Sequence, residues 1–196
     1  MADTIGRSLG QLGVAALSID LPLHGAREEG VEGLSLRHPL ALVQKWRLAV
    51  HEANAAIEYL RARPDIDPER IGLGGYSLGA YLGVTVASRN EHVSALALAA
   101  GGDLPAQTPF ASIVRSIADP RRAARAFAGR PLLMINGRFD RTIRPEQARA
   151  LFEAAGEPKE LRWYDGGHWP PQHAVDQVAE WLAARLGKKN SASRTA

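Results

Sequence analysis

The chain has 196 residues, with 24 basic and 21 acidic side chains, a net charge of +3 and no cysteine. Its hydrophobic share of 45% and charged share of 23% are those of an ordinary globular domain, which excludes a disordered or collagen-like chain. The lack of cysteine excludes a disulfide scaffold, a thiol nucleophile and a zinc site with cysteine ligands.

The isoelectric point of about 9.5 is basic, but the surplus charge is small and part of it lies in residues 187–196. A second basic group comprises Arg121, Arg122, Arg125 and Arg130, which we interpret as a solvated helix face rather than a nucleic-acid or anion site. No apolar run reaches the roughly 18–20 residues of a membrane span, and no signal peptide is evident. We therefore predict a cytoplasmic protein without a nucleic-acid or membrane partner, and the oligomeric state stays open.

The chain begins with a helical spacing at Ile5, Leu9 and Leu12, followed by the short apolar run Val14–Ile19, which predicts a buried strand. Residues 21–38 are rich in glycine and proline and are predicted to form a loop. Beyond them, apolar runs of strand length alternate with segments of helical periodicity. The predicted strands are 14–19, 70–74, 93–100, 131–136 and 161–164. The predicted helices are 40–61, 78–88, 121–128, 145–155 and 172–186.

This alternation predicts an α/β fold with about five strands in a mainly parallel sheet that is covered by helices on both faces. We expect a single domain over residues 1–186, with a small, irregular, cap-like insertion near 101–128, and a flexible tail over 187–196. Ligand sites in such sheets lie beyond the carboxyl ends of the strands. The loops that follow the second, fourth and fifth predicted strands are therefore the candidate site.

The first of these loops reads Gly75-Tyr76-Ser77-Leu78-Gly79, a G-x-S-x-G pattern. A predicted strand ends before it and a predicted helix follows it, which is the context in which this pattern forms a sharp turn around the serine. We expect glycine at both ends because a side chain at either position would collide with the neighbouring strand or helix. The turn would expose the Ser77 hydroxyl, and the Leu78 N–H would face a developing oxyanion.

A serine hydroxyl is a poor nucleophile at neutral pH, so it needs a base, and the base needs an orienting acid. His168 lies in the loop after the last predicted strand and is the candidate base. Asp140 lies in the loop after the preceding strand and is the candidate acid, and the order Ser77, Asp140, His168 fits the template of this turn. Asp103 and Asp165 are alternative acids, of which Asp103 is the stronger.

Two aromatic residues beside these positions are candidates for substrate binding. Tyr76 lies inside the turn and would shape the pocket, whereas Trp169 either lines an acyl pocket or packs under the last helix. For His24 we expect a structural role in closing its loop, where Gly25 allows a tight turn. We predict no metal site.

These residues resemble the α/β-hydrolase superfamily, and the nearest similarity is to dienelactone hydrolases, acetyl xylan esterases and prolyl-oligopeptidase-like esterases. The similarity covers roughly residues 10–186 and includes the stretches 19–25 and 67–72. Dienelactone hydrolases carry a cysteine nucleophile, so Ser77 favours an ester hydrolase instead. The resemblance implies the α/β-hydrolase fold and a small-molecule ester substrate. Because the stretch 101–128 is short, we expect a small cap and an open site suited to short acyl esters.

The resemblance also implies a mechanism. Ser77 attacks an acyl carbonyl while His168 takes its proton, Asp140 holds the imidazole, and the Leu78 N–H stabilises the oxyanion. Water then releases the acyl group, and neither a metal nor an organic cofactor is needed.

The chain departs from this fold at its beginning. Matched by motif, Val14–Ile19 corresponds to the fourth of eight strands, so strands one to three and the loop that gives the second oxyanion N–H have no counterpart. We therefore expect an N-terminally truncated α/β hydrolase, in which Val14–Ile19 either pairs directly with the strand at 70–74 or stays unpaired. An unpaired edge inside a sheet leaves backbone polar groups unsatisfied and promotes aggregation.

Two other functions stay open. One is an S9-like peptidase or amidase, although such peptidases usually add an upstream propeller that 196 residues cannot hold. The other is a catalytically impaired interaction module. The missing oxyanion segment favours the module, whereas the presence of Ser77, Asp140 and His168 together favours an enzyme.

Overall fold

The computed structural model of the chain describes residues 2–22, 24–27, 39–105, 107–108 and 111–187. Its strands are β1 Ile71–Tyr76, β2 Val93–Ala99, β3 Leu132–Gly137 and β4 Lys159–Tyr164. Its helices are α1 Ala2–Gln11, α2 Pro39–Arg61, α3 Leu78–Ala87, α4 Ala111–Ala118, α5 Pro120–Ala126, α6 Pro145–Ala154 and α7 Gln172–Leu186, with one turn of 3-10 helix at Gly25–Arg27. None of the helices in these ranges is long and apolar enough to cross a membrane.

The sheet is parallel throughout, and its strands lie in the order β1-β2-β3-β4. Each strand reaches its neighbour through a crossover that contains at least one helix, as parallel pairing requires. One face of the sheet carries a core formed with α2, α3, α5 and α6, and the other face carries a core formed with α1 and α7. The structure confirms the predicted α/β fold with a parallel sheet between two helical layers.

Both faces of the central strands are apolar because both are covered by helices. Along β2, Leu96 and Leu98 enter the first core, whereas Ala95 and Ala97 enter the second. This arrangement explains why the strands appear in the sequence as continuous apolar runs without polar alternation.

The predicted strand at Val14–Ile19 is wrong, and the described residues contain four strands rather than five. Residues 14–20 form no ladder, and the side chains of Leu17 and Ile19 are 44% and 38% exposed. An apolar run becomes a strand only if a neighbour offers backbone partners. In the described part of the sheet, β1 pairs with β2 alone, so residues 14–20 add no strand to it.

The segment between β2 and β3 is more regular than its composition suggests. The insertion near 101–128, predicted to be irregular, contains α4 as well as α5, and Asp119 caps α5 by accepting a hydrogen bond from the Arg122 N–H. Most of the predicted loop at 21–38 and of the predicted tail at 187–196 lies outside the described residues.

The junction between β1 and α3 is a tight turn at Ser77, whose φ of 52° and ψ of −113° are unusual for a residue with a side chain. A Cβ on Gly75 would collide with the backbone of Gly79, so the close approach of strand and helix requires glycine at position 75. The corresponding expectation for Gly79 is wrong, because a Cβ there would meet no atom within 4 Å beyond its chain neighbours and the backbone of its own helix.

The basic group beside α5 has two different environments. Arg121, Arg122 and Arg125 are exposed, as expected for a solvated helix face. Arg130 departs from that interpretation, because its guanidinium donates to the backbone carbonyls of Ala87, Asn90 and Val93 at 2.7–2.9 Å and stacks on an aromatic ring. It ties the end of α3 and the start of β2 to the chain that leads into β3.

Exchanging each glycine of the turn separately tests the packing around Ser77. Gly75→Ala should lower the free energy of unfolding by about 1–3 kcal/mol, because its Cβ overlaps the backbone of α3. Gly79→Ala adds the same methyl group inside a helix with free space and should leave stability unchanged or raise it by up to about 1 kcal/mol. Urea denaturation followed by circular dichroism measures both, and equal midpoints for the two variants would contradict the packing argument.

The role of Arg130 is tested by Arg130→Ala. Three carbonyl groups each lose a hydrogen bond from a charged donor, so the free energy of unfolding should fall by about 2–4 kcal/mol. Arg121→Ala removes an exposed arginine from the same basic group and should change stability by less than about 0.5 kcal/mol. If both variants have the same melting temperature as the unchanged protein, Arg130 belongs to the solvated face.

Candidate active site

The loops after β1, β3 and β4 bring Ser77, Asp140 and His168 into direct contact. His168 Nε2 lies 2.9 Å from Ser77 Oγ, and His168 Nδ1 lies 2.8 Å from Asp140 Oδ2. In the tautomer with its proton on Nδ1, the imidazole donates to the carboxylate, and its Nε2 is free to accept the serine proton. A continuous hydrogen-bonded chain therefore runs from hydroxyl through imidazole to carboxylate; we call it the Ser77–His168–Asp140 chain.

Ser77 is held by backbone contacts on both sides of the turn. Its N–H donates to the carbonyl of Ala99 on β2 at 3.0 Å, and its own carbonyl accepts from the Ala80 N–H at 2.9 Å. Leu78 is the first residue of α3, and the first N–H groups of a helix have no acceptor within the helix. The Leu78 N–H is therefore available, next to the Ser77 hydroxyl, to a group that carries negative charge.

Asp140 is 3% exposed, and its carboxylate is fixed by backbone amides. One oxygen, Oδ1, accepts hydrogen bonds from the N–H groups of Thr142 and Ile143 at 2.8 and 3.0 Å. The other oxygen, Oδ2, accepts from His168. The backbone of the loop after β3 thus fixes the orientation of the carboxylate independently of its hydrogen bond to His168.

The two alternative acids lie elsewhere. Asp103 is buried, but its two oxygens pair with the guanidinium of Arg115 on α4 at 3.0 and 3.2 Å, which raises the pKa of that arginine. Asp165 has an 81% exposed side chain, and it pairs with Arg138 at 3.1 Å. Of the three candidate acids, Asp140 is therefore the one that is hydrogen-bonded to His168.

The backbone of the His168 loop is held by two tyrosines, each the last residue of its strand. Tyr164 at the end of β4 donates to the carbonyls of Gly167 and His168 at 3.0 and 3.3 Å, and Tyr76 at the end of β1 donates to the His168 carbonyl at 3.2 Å. Burial raises the pKa of Tyr164 to about 12, and burial with the nearby charge of Asp140 raises the pKa of Tyr76. Both phenols therefore keep their proton and donate at neutral pH.

Sequence patterns identify Tyr164 only as the end of a strand and give no sign of its contact with the His168 loop. Gly137, at the end of β3, was also missed, although a Cβ on it would collide with the carbonyl oxygens of Gly166 and Gly167. The available signal was a glycine at the carboxyl end of a strand beside a candidate site, which often marks a close backbone approach.

The two predicted substrate-binding residues lie next to the imidazole. The ring centroid of Tyr76 is 5.3 Å from that of His168 and 5.3 Å from that of Trp169, and the latter two are 6.3 Å apart. Trp169 is 71% exposed, so it does not pack under the last helix. The three rings form a cluster beside Ser77, which we call the aromatic cluster.

His24 lies outside this arrangement, with Nδ1 3.1 Å from the carbonyl oxygen of Pro22, in agreement with a role in its own loop. Gly25 has a φ of +59°, and a Cβ there would collide with the side chain of Asp20. Among the described residues, no group of three or more His, Asp or Glu side chains is placed to hold a metal ion.

Comparison with solved structures places the fold among esterases and lipases. A cold-adapted esterase from an Arctic intertidal metagenomic library, bound to PEG, superimposes with a TM-score of 0.70 at 22% identity, over 94% of this chain and 75% of that one. The esterase domain of a Rhodothermus marinus protein gives 0.63 at 23% identity, over 93% and 76%. A monoacylglycerol lipase of Paleococcus ferrophilus gives 0.66 at 17% identity, over 92% and 88%. At these identities the similarity establishes a shared fold.

Among curated proteins, this chain is similar in sequence to two uncharacterized proteins from two strains of Mycobacterium tuberculosis. Each is 29% identical over an alignment of 187 residues, which covers 81% of this chain and 43% of the relative. The chain therefore spans less than half of the length of the curated relatives that it matches.

The family match covers nearly all of the elements that build the site. Residues 4–174 match the dienelactone hydrolase family, a range that begins in α1, contains the whole sheet and includes Ser77, Asp140 and His168. The superfamily resemblance drawn from the serine turn is confirmed, and the chain belongs to the dienelactone hydrolase family.

Proposed function

We propose that this protein is a serine hydrolase that cleaves carboxylic esters through an acyl-enzyme intermediate. The observation that supports it most directly is the Ser77–His168–Asp140 chain, with both hydrogen bonds of the imidazole below 3.0 Å. Membership of a hydrolase family and the esterase and lipase neighbours agree with this proposal.

In the first half of the reaction Ser77 is the nucleophile. Its Oγ attacks the acyl carbon while its proton passes to His168 Nε2, which already accepts the hydroxyl hydrogen bond. Asp140 stabilises the imidazolium that forms, because its Oδ2 accepts the Nδ1 proton and its Oδ1 is already held by two backbone amides. Nε2 then donates to the alcohol oxygen, and the alcohol leaves.

In the second half a water molecule takes the place of the alcohol. His168 removes a proton from the water, the hydroxide attacks the acyl carbon, and Ser77 recovers its proton as the acid is released. In both halves the Leu78 N–H stabilises the oxyanion. One such donor is worth about 2.7–4 kcal/mol of transition-state stabilisation, and Leu78 is the donor we assign among the described residues.

We extend the proposal to short acyl chains on a small-molecule ester. The described part of the segment between β2 and β3 offers little cover for a long acyl chain, because α5 packs against α3 and α6 in the body of the domain. Of the described helices in that segment, only the eight-residue α4 is left to lie over a substrate. The cytoplasmic location stays a prediction from the sequence.

The proposal is tested with p-nitrophenyl acetate. The purified protein should hydrolyse it, and Ser77→Ala should reduce the rate to that of the buffer, because the nucleophile is lost. A fluorophosphonate probe should also label the unchanged protein at Ser77, as located by peptide mass spectrometry. Rates in an acyl series from acetate to octanoate should be highest for the short chains.

The alternatives predict different outcomes in the same assays. A peptidase or amidase would cleave the matching p-nitroanilide at a rate comparable with that of the ester. An interaction module would give equal rates for the unchanged protein and Ser77→Ala, and no label, which would overturn the enzymatic proposal.

The role of Asp140 is tested by Asp140→Asn. The amide keeps the volume of the side chain but stabilises the wrong imidazole tautomer, so kcat should fall by about 10⁴-fold. Asp165→Asn is the matched control, since it changes an exposed aspartate in the same loop as His168 and should alter kcat by less than about twofold. Comparable losses in the two variants would show that Asp140 does not orient the base.

A further inference from the structure

Large hydrophobic side chains that are exposed are unevenly distributed in the described part of the chain. Five of the eight precede residue 60, and the other three are Leu78, Phe139 and Trp169. Each of these three is the immediate sequence neighbour of a member of the Ser77–His168–Asp140 chain. Apolar groups around a few polar reacting atoms are typical of sites that bind small molecules.

Of these three residues, Trp169 belongs to the aromatic cluster. It is 71% exposed, yet its ring is held against Tyr76 with the centroids 5.3 Å apart and the planes inclined by 32°. Its centroid is 6.3 Å from that of the His168 imidazole, with the planes inclined by 74°. The indole therefore lies beside the imidazole and presents most of its surface to the solvent.

The chemistry at Ser77 determines which part of an ester lies beside this ring. His168 Nε2 must donate to the alcohol oxygen, so that oxygen lies within hydrogen-bond distance of the imidazole. The acyl chain, by contrast, extends from the carbon that becomes bonded to Ser77 Oγ. The alcohol group is therefore the part of the ester nearest to His168 and to the aromatic cluster.

We infer that Trp169 and Tyr76 form the binding site for the alcohol group, and that this site favours esters of planar aromatic alcohols. The inference rests on the proposed ester hydrolysis and differs from the acyl-pocket role expected for Trp169 from the sequence. An aromatic ring on the alcohol gains an offset or edge contact with the indole, which a saturated ring of similar size cannot match.

The two halves of the reaction separate this role from a contact with the acyl chain. During acylation the bond between Ser77 Oγ and the acyl carbon forms, the bond from that carbon to the alcohol oxygen breaks, and the Ser77 proton leaves with the alcohol through His168. The alcohol is absent from the acyl-enzyme. A residue that binds the alcohol therefore affects kcat/KM, which reports acylation, and leaves deacylation unchanged.

The test compares benzyl acetate with cyclohexylmethyl acetate, which share the acyl group and have leaving alcohols of similar size. The unchanged protein should prefer the benzyl ester in kcat/KM by about three- to tenfold. Trp169→Ala should bring this ratio close to one, whereas Trp169→Phe should keep most of it. The ratio between benzyl acetate and benzyl butyrate should be the same in all three proteins. Because Trp169 is exposed, thermal melting should show that the variants remain folded.

The inference is overturned, while ester hydrolysis stands, if the unchanged protein shows no preference for the benzyl ester. Two results with the variants would overturn it as well. One is a Trp169→Ala variant that keeps the preference for the benzyl ester, and the other is a variant that changes the acyl ratio or the rate of deacylation. Ser77→Ala serves as the control in every assay. If the unchanged protein cleaves these esters no faster than Ser77→Ala, the proposed function itself fails, and the alcohol site fails with it.

Discussion

The parallel alignment of the strands places the carboxyl ends of β1, β3 and β4 at the same end of the sheet, and the site depends on that alignment. Ser77, Asp140 and His168 come from three segments separated by up to 91 positions, yet each directly follows or lies within a few residues of a strand end. If any one of these three strands ran in the opposite direction, the site residue that follows it would lie at the other end of the sheet. The two helical layers keep the strands in this alignment by burying both faces of the sheet.

Local contacts then bring the three side chains within hydrogen-bond distance. The close approach at Gly75 sets the turn around Ser77, and the close approach at Gly137 lets the His168 loop lie against the end of β3. The phenol of Tyr164 holds that loop through its carbonyl groups. Each of these contacts involves the backbone, so together they position the loops from which the reacting side chains extend.

Sequence patterns predicted the fold class, the four paired strands and the residues of the Ser77–His168–Asp140 chain. They succeeded because periodicity and strand-end position are local properties that survive in the linear sequence. They failed at Val14–Ile19, because an apolar run does not reveal whether a pairing partner exists beside it. They also misjudged Arg130, whose guanidinium reaches carbonyls about 40 positions away that no local pattern connects with it. The hydrogen bonds of Tyr164 to the His168 loop could not be predicted, because the sequence does not show that the loop folds back over the end of β4.

The two outer strands of the sheet differ in a way that determines how the sheet can grow. On β4, the side chains of Lys159, Glu160 and Arg162 are charged, and Glu160 is bonded to Arg162, Trp181 and Arg185. Charges of this kind discourage the addition of another strand. The sequence of β1, Ile-Gly-Leu-Gly-Gly-Tyr, has no charged side chain, and within the described residues only one of its edges is paired. A fifth strand that paired with β4 would lie against these charged side chains and disturb their ion pairs. A strand that paired with β1 would meet no charged side chain of that strand, so the sheet is open to extension on the β1 side and protected on the β4 side.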